Sequence, residues 1–102
     1  MILHIATFSW RDSVTADAVD ALTAALSTMA GSIPELRSYV CGPALGIRPG
    51  ADYGVAAIVD DAAALEAYLN APLHTEVYQQ HLGEMIAERS AVQLPLSSGS
   101  LS

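Results

Sequence analysis

Three histidines (His4, His74, His81), the single Cys41 and Tyr68 are the side chains whose types and spacing could carry chemistry here. His74, Tyr78 and His81 stand at i, i+4 and i+7, so a helix would place them on one face, but that rise separates the two imidazole-bearing positions by about 10 Å. Zinc ligation on a helix uses an i, i+4 pair, so the spacing argues against a metal site. His74 sits in the first turn after Asn70-Ala71-Pro72, which reads as a helix restart because proline is tolerated in a first turn. The positive end of a helix disfavours imidazolium, which keeps such a ring neutral at pH 7 and available as a base or hydrogen-bond donor. A histidine in that position serves equally well by bonding a backbone group. Tyr68 lies six residues earlier, and a kink at the break would bring both rings onto one cavity wall. His4 lies within an apolar strand, where a satisfied core histidine is the plain reading. His81, with Glu84 three residues on, suits a solvated or interface role. Cys41 has no nearby histidine or helix start to generate a thiolate, so burial is its simplest role.

Composition removes whole classes of function. Four arginines, no lysine and eleven carboxylates give a net charge of -7, the wrong sign for neutralising phosphates, so nucleic acid is excluded as an expected ligand. Without lysine there is no Schiff base, no pyridoxal linkage and no phosphate-loop lysine. Gly42-Pro43-Ala44-Leu45-Gly46 is read as a turn, and no dinucleotide loop is present, so no cofactor is expected. No apolar stretch approaches the ~20 residues that span a bilayer, and the start lacks a signal-peptide pattern, so no membrane association is expected. A lone cysteine fits a reducing cytoplasm.

The elements that must position these residues follow from periodicity. Ile2 to Phe8 is apolar on both alternating faces, with Ile2, His4, Ala6 and Phe8 on one and Leu3, Ile5 and Thr7 on the other, which predicts a strand covered on both sides. Thr15 is placed to cap a helix with the stripe Val19, Leu22, Ala25, Leu26 and Met29, stopped by Gly31 and Pro34. Leu36 to Cys41 and Tyr53 to Val59 are predicted strands flanking a loop rich in glycine and proline. Asp60-Asp61 then caps an alanine-rich helix ending near Asn70. The restarted helix is expected to reach about Glu88, with a last strand over Ala91 to Leu96 and a loose tail over Ser97 to Ser102.

This order predicts one α+β domain over residues 1–96, with the ferredoxin-like βαββαβ plan and a four-stranded antiparallel sheet carrying helices on one face. One chain's helices cover only one face, so a homodimer is expected, burying the face of Ile2, Ala6 and Phe8 and closing a cavity between the sheets. A domain of 102 residues also buries too little of its own surface to make a partner surprising.

The pattern of His4 in the first strand, Phe8-Ser9-Trp10-Arg11-Asp12 at its end, Ile33-Pro34, Asp52-Tyr53, and Leu65 through Tyr68 and Pro72 to His74 resembles the stress-responsive A/B barrel (Dabb) family over residues 1–96. The resemblance implies a dimeric α+β barrel with a largely apolar cavity. It further implies a chemistry like that of the family's plant olivetolic acid cyclase, which closes a linear polyketide by an intramolecular aldol step without a cofactor. His74 would then be the general base and Tyr68 the donor to the polarised oxygen, with His4, Ala6, Phe8 and Tyr53 contacting a small apolar, phenolic or polyketide-like substrate. Where the family often reads His-Pro-x-His, this chain has Ala71-Pro72-Leu73-His74. The other readings the resemblance leaves open are a non-catalytic stress or accessory ligand-binding protein and a cofactor-free oxygenase of a phenol.

Overall fold

The computed structural model describes residues 1–101. β1 (Ile2–Trp10) leads into α1 (Ala16–Ala30), then β2 (Ser38–Pro43), β3 (Tyr53–Val59), α2 (Ala62–Leu69) and α3 (Pro72–Val77). The last helix widens into a π turn over Tyr78–Leu82 and closes with a turn over Gly83–Met85 before β4 (Ile86–Pro95). The sheet order is β2-β3-β1-β4 with every neighbouring pair antiparallel, the ferredoxin-like plan.

Local chemistry sets the helix starts. Thr15 Oγ1 accepts from the Ala18 N–H at 3.1 Å, and Asp61 Oδ1 accepts from the Ala64 N–H at 2.8 Å, each satisfying a donor the helix cannot. Such caps contribute about 0.5–2 kcal/mol each. Asp60 does not cap: it takes a two-pronged ion pair from Arg37, with Nε to Oδ1 and Nη2 to Oδ2 both at 2.8 Å, tying the start of β2 to the end of β3.

Pairing register decides which side chains meet. On the helix side, Tyr39, Ala57, His4 and Gln93 form one row across the four strands, Cys41, Val55, Ala6 and Ala91 the next, and Pro43, Tyr53, Phe8 and Arg89 the third. The α1 stripe of Leu22, Leu26 and Met29 packs over this face and shares a core with Phe8, Tyr53 and Val55. On the other face, Val40, Ala56, Ile5 and Val92 form one row, flanked by Ile58, Leu3 and Leu94.

Three expectations are corrected. Ala6 and Phe8 are each only 5% exposed and lie under the helices, so the face they share with Ile2 is not the one left for a partner; the bare face is that of Leu3 and Ile5, where Val40 is 64% exposed and Leu94 45%. Alternation showed two apolar faces but not which one the bulky α1 stripe would take. The cavity lies accordingly between the sheet and the helices of one chain, not between two sheets. Finally, the last helix ends at Met85 and β4 begins at Ile86, because Glu88, Arg89 and Ser90 pair with Ser9, Phe8 and Thr7 of the long first strand. Tertiary pairing overrode the local helical preference of that polar run.

Candidate active-site cavity

A cavity of about 390 Å³ lies between the sheet and the helices. Its sheet wall comes from His4, Ala6 and Phe8 of β1, Tyr39 of β2 and Val55 of β3; Leu26, Tyr68, Leu69, His74, Tyr78 and Leu82 supply the helical wall, and Arg89 of β4 stands at the rim. The small side chains of the middle row, Val55 and Ala6, separate the His4 row from the bulky Phe8 row and leave the room. Phe8 is held from behind by Trp10, whose ring stacks on it with centroids 5.9 Å apart.

Tyr68 is the hub of the polar end. Its ring meets His74 edge to face at 5.2 Å and 81°, His4 at 6.3 Å and 76°, and Tyr39 at 6.4 Å and 81°. The break at Asn70-Ala71-Pro72 makes this possible, because Ala71 is extended (φ -61°, ψ 138°) and turns α3 back so that His74 faces Tyr68. His74 makes no side-chain hydrogen bond to any described residue, so its ring nitrogens are left to whatever fills the cavity. His4 is tethered: its Nδ1 lies 2.9 Å from Gln93 Nε2. With that amide donating to Nδ1, the His4 proton sits on Nε2.

Both imidazoles are held below the usual histidine range. For His74 the main cause is burial, followed by the Arg89 guanidinium and then His4; for His4 it is burial followed by Arg89. The neutral state expected from a helix start is therefore supplied here by desolvation and a nearby cation. Burial likewise pushes the Tyr68 and Tyr39 phenols up, so both remain protonated donors at neutral pH. The Tyr39 hydroxyl is buried without a partner in hydrogen-bond geometry; the Tyr68 hydroxyl perturbs it without forming a proper bond.

The structure thus brings His74, Tyr68, His4, Ala6 and Phe8 to one cavity but leaves out Tyr53. Tyr53 is 1% exposed, and its hydroxyl lies 2.7 Å from Thr23 Oγ1 of α1, a core tie rather than a wall. His81 and Cys41 are also outside the lining, and among the described residues no group of three or more His, Cys, Asp or Glu side chains is arranged to hold a metal ion. Sequence reasoning missed seven lining residues, four of them aliphatic (Leu26, Val55, Leu69 and Leu82) and three with polar groups. Tyr78 carried a signal, sharing a helical face with His74. Tyr39 carried only its alternation with Val40. Arg89 was hidden because it fell between a helix expected to end near Glu88 and a strand expected to begin at Ala91.

A βαββαβ sheet with a polar-ended cavity beneath its helices defines the class: a ferredoxin-like α+β protein. Residues 2–95 match the model of the stress responsive A/B barrel domain, and the chain belongs to that family. It is 36% identical over 77 residues, 72% of this chain and 79% of the relative, to an uncharacterised protein of Streptomyces coelicolor. Among solved structures, a dimeric ferredoxin-like protein of unknown function from Thermobifida fusca superposes with a TM-score of 0.86 at 40% identity, covering 93% of this chain and 90% of that one. The hydroxynitrile lyase of Passiflora edulis shares the fold at a TM-score of 0.77 and 13% identity, with 91% and 90% covered. No helix of the described residues is long and apolar enough to cross a membrane.

Proposed function

We propose that this protein is a cytoplasmic homodimer whose cavity binds a small carbonyl-rich or phenolic molecule and acts on it by acid–base chemistry without a cofactor. The favoured reaction is the intramolecular aldol closure of a polyketide-like chain. One observation carries the reading: a neutral His74, with no hydrogen bond to any described residue, stands edge to face with the protonated Tyr68 in the cavity wall. His74 takes a proton from carbon between two carbonyls, and Tyr68 donates to the oxygen on which the enolate charge develops. The enolate carbon attacks a distant carbonyl of the same chain, and the resulting alkoxide recovers the proton from the imidazolium, so no oxidant or metal enters the balance. The Passiflora lyase supports the capacity of this frame to host chemistry, and the dimeric relative from Thermobifida supports a homodimer.

The test is rate and stability measured on the same samples with a linear β-polyketide thioester. His74→Ala should lower the rate by about 10²–10⁴, the usual worth of a general base. Tyr68→Phe should cost less, since it removes one donor and keeps the ring. Both should keep a melting temperature close to that of the parent. A fall in melting temperature with no loss of rate beyond the loss of folded protein would make His74 structural and the cavity a binding site only.

A further inference from the structure

The chain carries eleven carboxylates, yet none lines the cavity, and its one charged liner is Arg89. Arg37 spends its guanidinium on Asp60, and Arg11 donates to the Ile86 carbonyl at 3.2 Å. Arg89, by contrast, makes no hydrogen bond or ion pair with any described residue. It projects from the helix side of β4, opposite Phe8, with His4 four residues along β1 on the same face. A free guanidinium lining a cavity that holds no carboxylate leaves one unpaired positive charge for a ligand.

We infer that Arg89 anchors a carboxylate of the bound molecule, so that the cavity takes an apolar or aromatic acid with its anionic end at the rim. The inference rests on the cavity being the ligand site proposed above, and it names the class of ligand. A guanidinium presents two parallel N–H donors that match a carboxylate, which makes it a selector and not only a point charge. Leu26, Leu69 and Leu82 accept the hydrocarbon body. An anion there would also offset the positive charge that now depresses His4 and His74.

The probes are 4-butylbenzoate and its neutral isostere 4-butylbenzamide, followed by emission of Trp10, the one tryptophan, which stacks on the cavity residue Phe8, and by calorimetry. The benzoate should bind the parent protein on the order of tenfold more tightly than the amide. Arg89→Gln should erase that gap and leave the amide affinity unchanged, whereas Arg89→Lys should keep part of it. Equal affinities for the two probes, a gap that survives Arg89→Gln, or no binding of the benzoate would each overturn the inference. Carboxylate preference without turnover of any polyketide would sink the catalytic reading alone. Turnover of a neutral thioester, with no carboxylate preference, would sink the Arg89 assignment alone.

Discussion

The two faces of the sheet are built from the same strands and differ in almost everything else. The helix-covered face alternates apolar bulk with His4, Tyr39 and Gln93, and its gaps form the cavity. The bare face is mostly aliphatic, with Leu3, Ile5, Val40, Ala56, Ile58, Val92 and Leu94, and it also carries the hydroxyls of Ser38, Thr7 and Ser90. A strand with period two separates chemistry from assembly at no cost in length, each residue serving the side it points to. Two apolar faces in one strand are therefore not one signal but two: one face folds the chain and walls the cavity, and the other lies outside the helices.

The largest expected effects come from breaking each face in turn. Phe8→Ala removes a ring packed against Trp10 and Tyr53 beneath α1, and should destabilise the protein by about 3–5 kcal/mol in denaturant unfolding. Val40→Asp on the bare face should leave the unfolding of the monomer within about 0.5 kcal/mol while halving the mass seen by sedimentation at micromolar concentration, from about twice 10.6 kDa to that of one chain. A parent protein that sediments as a single chain would break the comparison at its assembly side.

Much of the covered face was legible because its signals are local. Thr15, Asp61 and the α1 stripe mark the helices, and the Asn70 to Pro72 break with Tyr68 and His74 around it marks the kink that joins those rings. What was not legible depended on long-range pairing. Glu88-Arg89-Ser90 is polar and has no strand alternation, since β4 is an edge strand exposed along most of its length; only its register with β1 shows that Arg89 reaches the rim. Tyr53 fails in the opposite direction. The family resemblance implied a substrate contact, but the Tyr53 hydroxyl is taken by α1 through Thr23, a contact 30 residues away in sequence. The choice of bare face was illegible for a related reason, because it depends on which apolar set the helices reach first.

The histidines sharpen the comparison through pH, since all chemistry placed on the covered face depends on their being neutral. His4 and His74 have folded-state values below the unfolded 6.5, so above that pH both states are uncharged and the pair contributes no pH dependence. As pH falls through 6.5 the unfolded chain binds protons that the native one resists, and stability falls with it. Urea melts between pH 7.5 and 5 should show this decline, and His74→Gln should flatten part of it. Val40→Asp, on the other face, should leave the histidine contribution below pH 6.5 in place. A parent protein whose stability is level or rises towards pH 5 would remove the case for two neutral buried imidazoles.

The smallest expected effect concerns how the rim is shaped. Gly83 donates its N–H to the Tyr78 carbonyl, the bond that closes the π turn, and the Tyr78 ring lies over it. A Cβ at position 83 would stand 3.2 Å from that carbonyl oxygen and 3.4 Å from the ring carbon Cε1, tighter than ordinary packing. The oxygen is backbone and cannot swing aside, so the turn or the ring must move. Ala is favoured over Gly in a helix by about 1 kcal/mol, and the crowding acts against that gain, so Gly83→Ala should change stability by less than about 1 kcal/mol. Its effect should fall on binding instead. Tyr78 is 46% exposed and lines the cavity, so displacing its ring reshapes the cavity wall. We expect 4-butylbenzoate and 4-butylbenzamide to lose affinity by a similar small factor, with the gap between them intact, because the change touches shape and not charge. A selective loss of the benzoate would place Tyr78, and not Arg89 alone, in the recognition of the anion.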